Sequence, residues 1–377
     1  MTPAQAGSLH HRHESIDSWR LPRHGERATC IMAATSTSHL PVRLWEGAAV
    51  RRQRPERLAC TLALLVVLVA GCTDAGQPTP SPAATVETEV PSPSLSSAPP
   101  GLSGHLLYSR FTEATHSFTG MFASAADGSG EVAVPMPWTE GGGRWSRTGD
   151  LIAVPTQVDD GRVGTAILDA AGKVLRVLDI PDETLNLACT VWSPDDARLA
   201  CEAWDDTDAT RGGIYTVRSA DGGDLQRLTT PPAGMADDDG DWSSNGQIVF
   251  KRYSGEEAPG QLLLVDAASG DPITLTSGSM EDPGRFSPDG ALVATSGGGV
   301  IQIFDRTGAR VSSIERPGDY LFGPAWSPDG AWLVFSVAPG GQYFSDLFIA
   351  RPDGSDIYQV TRTSANEITV DWGPDPG

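Results

Sequence analysis

The sequence predicts an all-β fold over residues 104–377, a six-bladed β-propeller of four-stranded antiparallel blades. Three observations predict it. An aromatic residue followed by Ser-Pro-Asp-Gly, or a relative of it, recurs along the chain. The aromatics, Trp145, Trp192, Trp242, Phe286, Trp326 and Trp372, are separated by 47, 50, 44, 40 and 46 residues, the length of one four-stranded blade. Between them lie short apolar runs punctuated by turn residues rather than segments with a helical period.

The elements follow in order. At the start, His105 to Ser109, Gly120 to Ala125 and Glu131 to Val134 read as three strands, with Ala126-Asp127-Gly128 as the turn between the last two. The fifth unit shows a whole repeat: strands Gly323 to Ser327, Trp332 to Val337, Asp346 to Ala350 and Ile357 to Val360, with turns Pro328-Asp329-Gly330 and Pro352-Asp353-Gly354. Proline presets φ at the first turn position and glycine tolerates positive φ at the end, so Pro-Asp-Gly makes a tight hairpin. The last unit has only its first strand, Ile368 to Trp372. The three strands at the start complete that blade, so the ring is closed by the two ends of the chain, which protects its edges.

With Pro194-Asp195-Asp196 as a loop and Ser193 opposite Ala197, the antiparallel register sets Cys189 across from Cys201. A directly opposite pair at about 5.5 Å between Cα atoms is compatible with a disulfide, closing a short loop.

The repeats resemble the TolB-type propeller family, whose Trp-Ser-Pro-Asp-Gly motif they carry, across about Gly104 to Gly377. The resemblance implies that the motif is structural, with the aromatic packed between blades and Asp-Gly closing the hairpin. No counterpart of the α/β domain that precedes the propeller in the family's namesake is read here.

Residues 50–71 read as a lipoprotein signal peptide. A basic stretch, Arg51 to Arg57, runs into the apolar Leu58 to Ala70, too short to span a bilayer comfortably and suited to a signal-peptide core. It ends in Val69-Ala70-Gly71-Cys72, which resembles the bacterial lipobox. The resemblance implies lipidation of the Cys72 thiol, a mature chain beginning there, and anchoring on the outer face of the cytoplasmic membrane. Residues 1–49 then stand upstream of a complete leader, so the start codon is expected at Val50, with Met32 next; a real extension from Met1 would be a disordered tail. Residues 72–103, rich in Pro, Ser and Thr, are expected to be a disordered tether.

Composition narrows the function. Of 27 Lys+Arg and 48 Asp+Glu, 9 and 5 lie at or before Gly71, leaving 18 against 43. Such a surface repels nucleic acid and anionic headgroups. Five of the seven histidines also precede Cys72, leaving His105 and His116, so histidine-based catalysis and transition-metal binding lack their usual side chain. No Gly-x-Ser-x-Gly, His-Glu-x-x-His or phosphate-binding glycine loop occurs.

In the acidic run Asp237-Asp238-Asp239-Gly240-Asp241, the alternate carboxylates Asp237, Asp239 and Asp241 are candidate Ca²⁺ ligands. The run lacks the downstream Glu and the spacing of a calcium hand, so a solvated polar loop is the default. Asp241 and Asp371 precede the aromatic in opposite blades, and Arg144 and Arg285 do so in another opposed pair, which sets alternating charge around the channel. For Trp45, Trp138, Trp204 and Trp332, which are not at the motif position, core packing is expected.

The expected function is a binding module of the cell envelope, presenting its loops to an envelope protein or a glycan, with no catalytic residue or cofactor assigned. The alternative is a propeller hydrolase or lyase of the carboxylate-based glycosidase type with a site in the channel. Two channel-facing carboxylates about 5 to 9 Å apart would favour the alternative.

Overall fold

The structure is a computed structural model that describes Pro99 and residues 101–112, 117–136, 142–254, 260–268, 270–340, 342 and 344–376. The leader, the tether apart from Pro99 and residues 101–103, Cys72, Trp45, His116 and Trp138 lie outside the described residues.

Six four-stranded antiparallel sheets form the propeller. The blades that start at Arg144, Asn186, Ala236, Arg285 and Asp319 are each built from four consecutive strands; we number these one to five. Blade six has the order Asn366–Gly373, His105–Phe111, Phe118–Ala125, Val132–Val134, so the two ends of the chain share it as the sequence predicts. The one helical element among the described residues is a 3₁₀ turn, Ala209–Arg211, and no helix there is long and apolar enough to cross a membrane.

Side chains alternate across each strand, so both faces of a blade are buried against its neighbours and the strands read as nearly continuous apolar runs. The core is accordingly divided into six apolar clusters, one at each interface between blades. Trp332 is buried in the cluster between blades five and six, while Trp204 is only half-buried. The fourth strands, at the rim, are 2 to 5 residues long.

The repeat motif is structural in the manner the sequence implies. In blade two the Ser193 hydroxyl donates to Asp195 at 2.7 Å and accepts the Arg198 N–H at 2.9 Å, locking the hairpin. Ser287 with Asp289 and Ser327 with Asp329 repeat the lock at 2.6 Å. The indoles of Trp192 and Trp326 reach the preceding blade, donating to the carbonyls of Arg144 and Arg285 at 3.0 Å.

Three expectations are corrected. First, the acidic run is a strand rather than a solvated loop: Ala236–Trp242 is the first strand of blade three, and Asp237, Asp239 and Asp241 are 2%, 8% and 9% exposed. Second, the first strand of blade five begins at Asp319, four residues early, because an irregularity between Phe322 and Ala325 masks its alternation. Third, Ser193 stands opposite Arg198, one residue beyond the expected partner, and a bulge at Thr190 cancels the slip. Cys189 therefore still faces Cys201; the two are joined by a disulfide with Cα atoms 3.9 Å apart.

Candidate functional site

The first strands line the central channel, and at the motif end the channel opens into a cavity of about 370 Å³ walled by residues of all six blades. Its charged lining is Arg144, Arg147, Asp241, Arg285 and Asp371. The two opposed pairs read from the sequence are thus brought to one place.

They form a closed belt. Asp371 of blade six accepts the Trp145 N–H of blade one at 2.9 Å. Arg144 of blade one leans past blade two to donate to the Gly240 carbonyl of blade three. Asp241 of blade three accepts the Phe286 N–H of blade four at 3.0 Å. Arg285 of blade four leans past blade five toward Asp371, 3.9 Å away, and the circuit closes. A carboxylate that accepts a backbone N–H satisfies a donor that the two-residue first strands of blades one and four would otherwise leave at the channel wall.

Gly240 makes the belt possible. A Cβ there would lie 2.3 Å from the Pro283 carbonyl oxygen and 2.6 Å from that of Val249. The bulge at this residue also turns Asp241 to the opposite face from Asp237 and Asp239, which dismantles the candidate calcium set. Asp237 is held by Arg252 at 2.6 and 2.8 Å and by the Thr229 hydroxyl at 2.7 Å. Asp241 also accepts its own Trp242 N–H at 2.8 Å. Among the described residues, no group of three or more His, Cys, Asp or Glu side chains is placed to hold a metal ion.

Asp239 is the exception to this pairing. Its Oδ2 is buried without a hydrogen-bond partner, and burial pushes its carboxyl up to about 7. Burial also raises neighbouring Asp238, opposed by Lys251 at 3.7 Å.

Two residues, one lining the mouth and one beside it, were not singled out by the sequence reading. Arg147 occupies the motif position that is proline in four repeats (Pro194, Pro288, Pro328, Pro374) and serine in one (Ser244). Its Nη2 donates to the Trp242 carbonyl at 2.5 Å, to Trp192 O at 3.1 Å and to Asp241 at 3.1 Å, so it crosses from blade one over two neighbours. Asp196 replaces the motif glycine of blade two at φ 57°. Its carboxylate accepts the backbone N–H groups of Arg147 and Thr148 at 2.8 and 3.2 Å, pinning the turn that carries Arg147. The signal that could have found both was departure from the repeat: these side chains break the motif and complete each other.

Fold and mouth together define a six-bladed propeller whose channel opens at the motif end into a polar cavity. No family model matches the chain. The solved TolB of Acinetobacter baumannii is similar at 18% identity and a TM-score of 0.51, over 71% of this chain and 67% of that one. A structure of a putative TolB from Agrobacterium tumefaciens gives 16% and 0.51, over 73% and 100%. The fold is therefore that of the TolB-like propellers. Among curated proteins, an uncharacterized protein of Agrobacterium fabrum is 25% identical over 193 residues, 49% of this chain and 60% of that protein. The uncharacterized peptidase YuxL of Bacillus subtilis is 28% identical over 148 residues, 39% of this chain and 21% of its own length.

Proposed function

We propose that this protein is an extracytoplasmic binding module, anchored through a lipid on Cys72, that presents the motif end of its channel to an envelope protein or a glycan. One observation carries the reading: the carboxylates that line the mouth, Asp241 and Asp371, are spent on backbone N–H groups of the next blade, so they act as ties between blades.

A second reading, a channel hydrolase or lyase, is favoured by Asp239, which keeps a proton near neutrality as a general acid must. Two measurements separate these readings. Fatty-acid labelling in a bacterial host should mark the wild type and not Cys72→Ala. A photo-cross-linker placed at Ser244, on the wall of the mouth, should give a discrete envelope adduct. No adduct, together with cleavage of an envelope glycan that Asp239→Asn abolishes, would replace the binding reading with the enzymatic one.

A further inference from the structure

The mouth reverses the charge of the molecule. Beyond Gly71 the chain holds 18 basic against 43 acidic residues, yet the mouth sets three guanidinium groups against two carboxylates. A local excess of cations in a strongly acidic chain draws an anion to that one place.

Its donors are also underused. Every side-chain hydrogen bond that Arg147 makes within the described residues runs through Nη2, so Nε and Nη1 have no acceptor there. The side chain is 40% exposed, and its backbone is pinned by Asp196. Among the described residues, the Arg144 side chain donates only through Nη1, to Gly240 O. Burial, and after it the neighbouring Arg285, pulls the Arg144 guanidinium down to about 10, against the pull of Asp239, Asp241 and Asp371. Unspent N–H groups around a cavity make an acceptor site, and a planar guanidinium suits a carboxylate.

We propose that the mouth of the channel binds a carboxylate group, held by Arg147 and Arg144. Arg147 is the adaptable member. It crosses the opening on a single nitrogen and exchanges its weaker carbonyl contacts for a charge-assisted pair when the ligand arrives. The carboxylate belongs either to a small organic acid or to the free C-terminus of a peptide. The proposal rests on the binding reading above and names the chemistry recognised at that face.

The test is calorimetry on the full chain with three probes: succinate, N-acetyl-tetraglycine as the free acid, and the same peptide as its C-terminal amide. Saturable, salt-sensitive binding of succinate or of the free acid is expected, with the amide at least about tenfold weaker. Succinate alone identifies small acids; the peptide acid as well identifies chain termini. Arg147→Ser, which installs the residue that blade three carries at this position, should lose about tenfold in affinity in a chain that circular dichroism shows still folded, and Arg147→Lys should recover part of it. Wild-type affinity in both Arg147→Ser and Arg144→Gln, equal binding of acid and amide, or no binding of either acid would overturn the site. Envelope adducts retained in a chain that binds no carboxylate would discard the site and leave the binding module standing. Carboxylate binding with no adduct would do the reverse.

Discussion

Blades one to three and blades four to six carry nearly the same polar scaffold at the mouth. Arg144 matches Arg285, Asp241 matches Asp371, and the indoles of Trp192 and Trp326 donate to equivalent carbonyls at the same 3.0 Å. Deeper in the ring, buried Asp237 faces Arg252 in blade three as buried Glu367 faces Arg110 in blade six. What lacks a twin lies mostly in the first half. Arg147 stands where the second half has Pro288, Asp239 where it has Thr369, and Cys189 where it has Gly323. Ties that close a ring are needed on both sides, so they are duplicated. A charged residue found on one side only has no such job, and that asymmetry separates recognition from architecture in a protein built of repeats.

The largest effect expected from breaking the shared scaffold is at its buried ion pairs. Arg252→Ala strands Asp237, and Arg110→Ala strands Glu367, each carboxylate fully buried. Each substitution should lower the unfolding free energy by ~3–5 kcal/mol in denaturant titration, because an uncompensated buried charge remains. Similar losses at the two sites confirm the twinning; a large loss at one and none at the other breaks it.

Asp239 tests the asymmetry. Its folded-state pKa of about 7 lies above the ordinary carboxylate value of 3.8. Between these pH values the unfolded chain has released the proton and the folded chain still holds it. Its contribution to stability is therefore fully present below about pH 4 and is lost as pH rises through 7. Relative to the wild type, Asp239→Asn should gain ~2–4 kcal/mol over this window. The same pH series on Thr369→Val, which alters the neutral counterpart, should show no such slope; a flat difference for Asp239→Asn would remove the asymmetry.

The smallest expected effect is at the belt. Asp241→Asn and Asp371→Asn each weaken a charge-assisted acceptor for the next blade's N–H, by ~1–2 kcal/mol in the same titration. The Asp241 variant should also loosen Arg147, which Asp371 does not touch. A larger loss at Asp371 than at Asp241 would mean that the two halves are tied unequally.

The fold was legible in the sequence because a propeller repeats its punctuation: the aromatic, the hydroxyl lock and the Pro-Asp-Gly turn are local chemistry, restated with variations from blade to blade. The opposed charged pairs were legible for the same reason, since motif position and six-fold order fix which residues meet. What the sequence hid were irregularities of the strand. Gly240 and Thr190 each insert one residue into a ladder, and one residue exchanges every face beyond it. That is why Asp237, Asp239 and Asp241 looked like one ligand set. It is also why Cys189 meets Cys201 although the turn beside them is one residue longer than expected. Arg147 stayed hidden because its partners lie one and two blades away, beyond the reach of any local pattern.

The shared blade has a mechanical consequence. His105–Phe111, the strand that leads into the ring, lies between the last strand of the chain and Phe118–Ala125, paired to both. A pull through the residues before His105 runs along that strand and loads two ladders in shear at once, rather than peeling one hydrogen bond at a time from a free edge. Yielding under such a pull parts both neighbouring strands together.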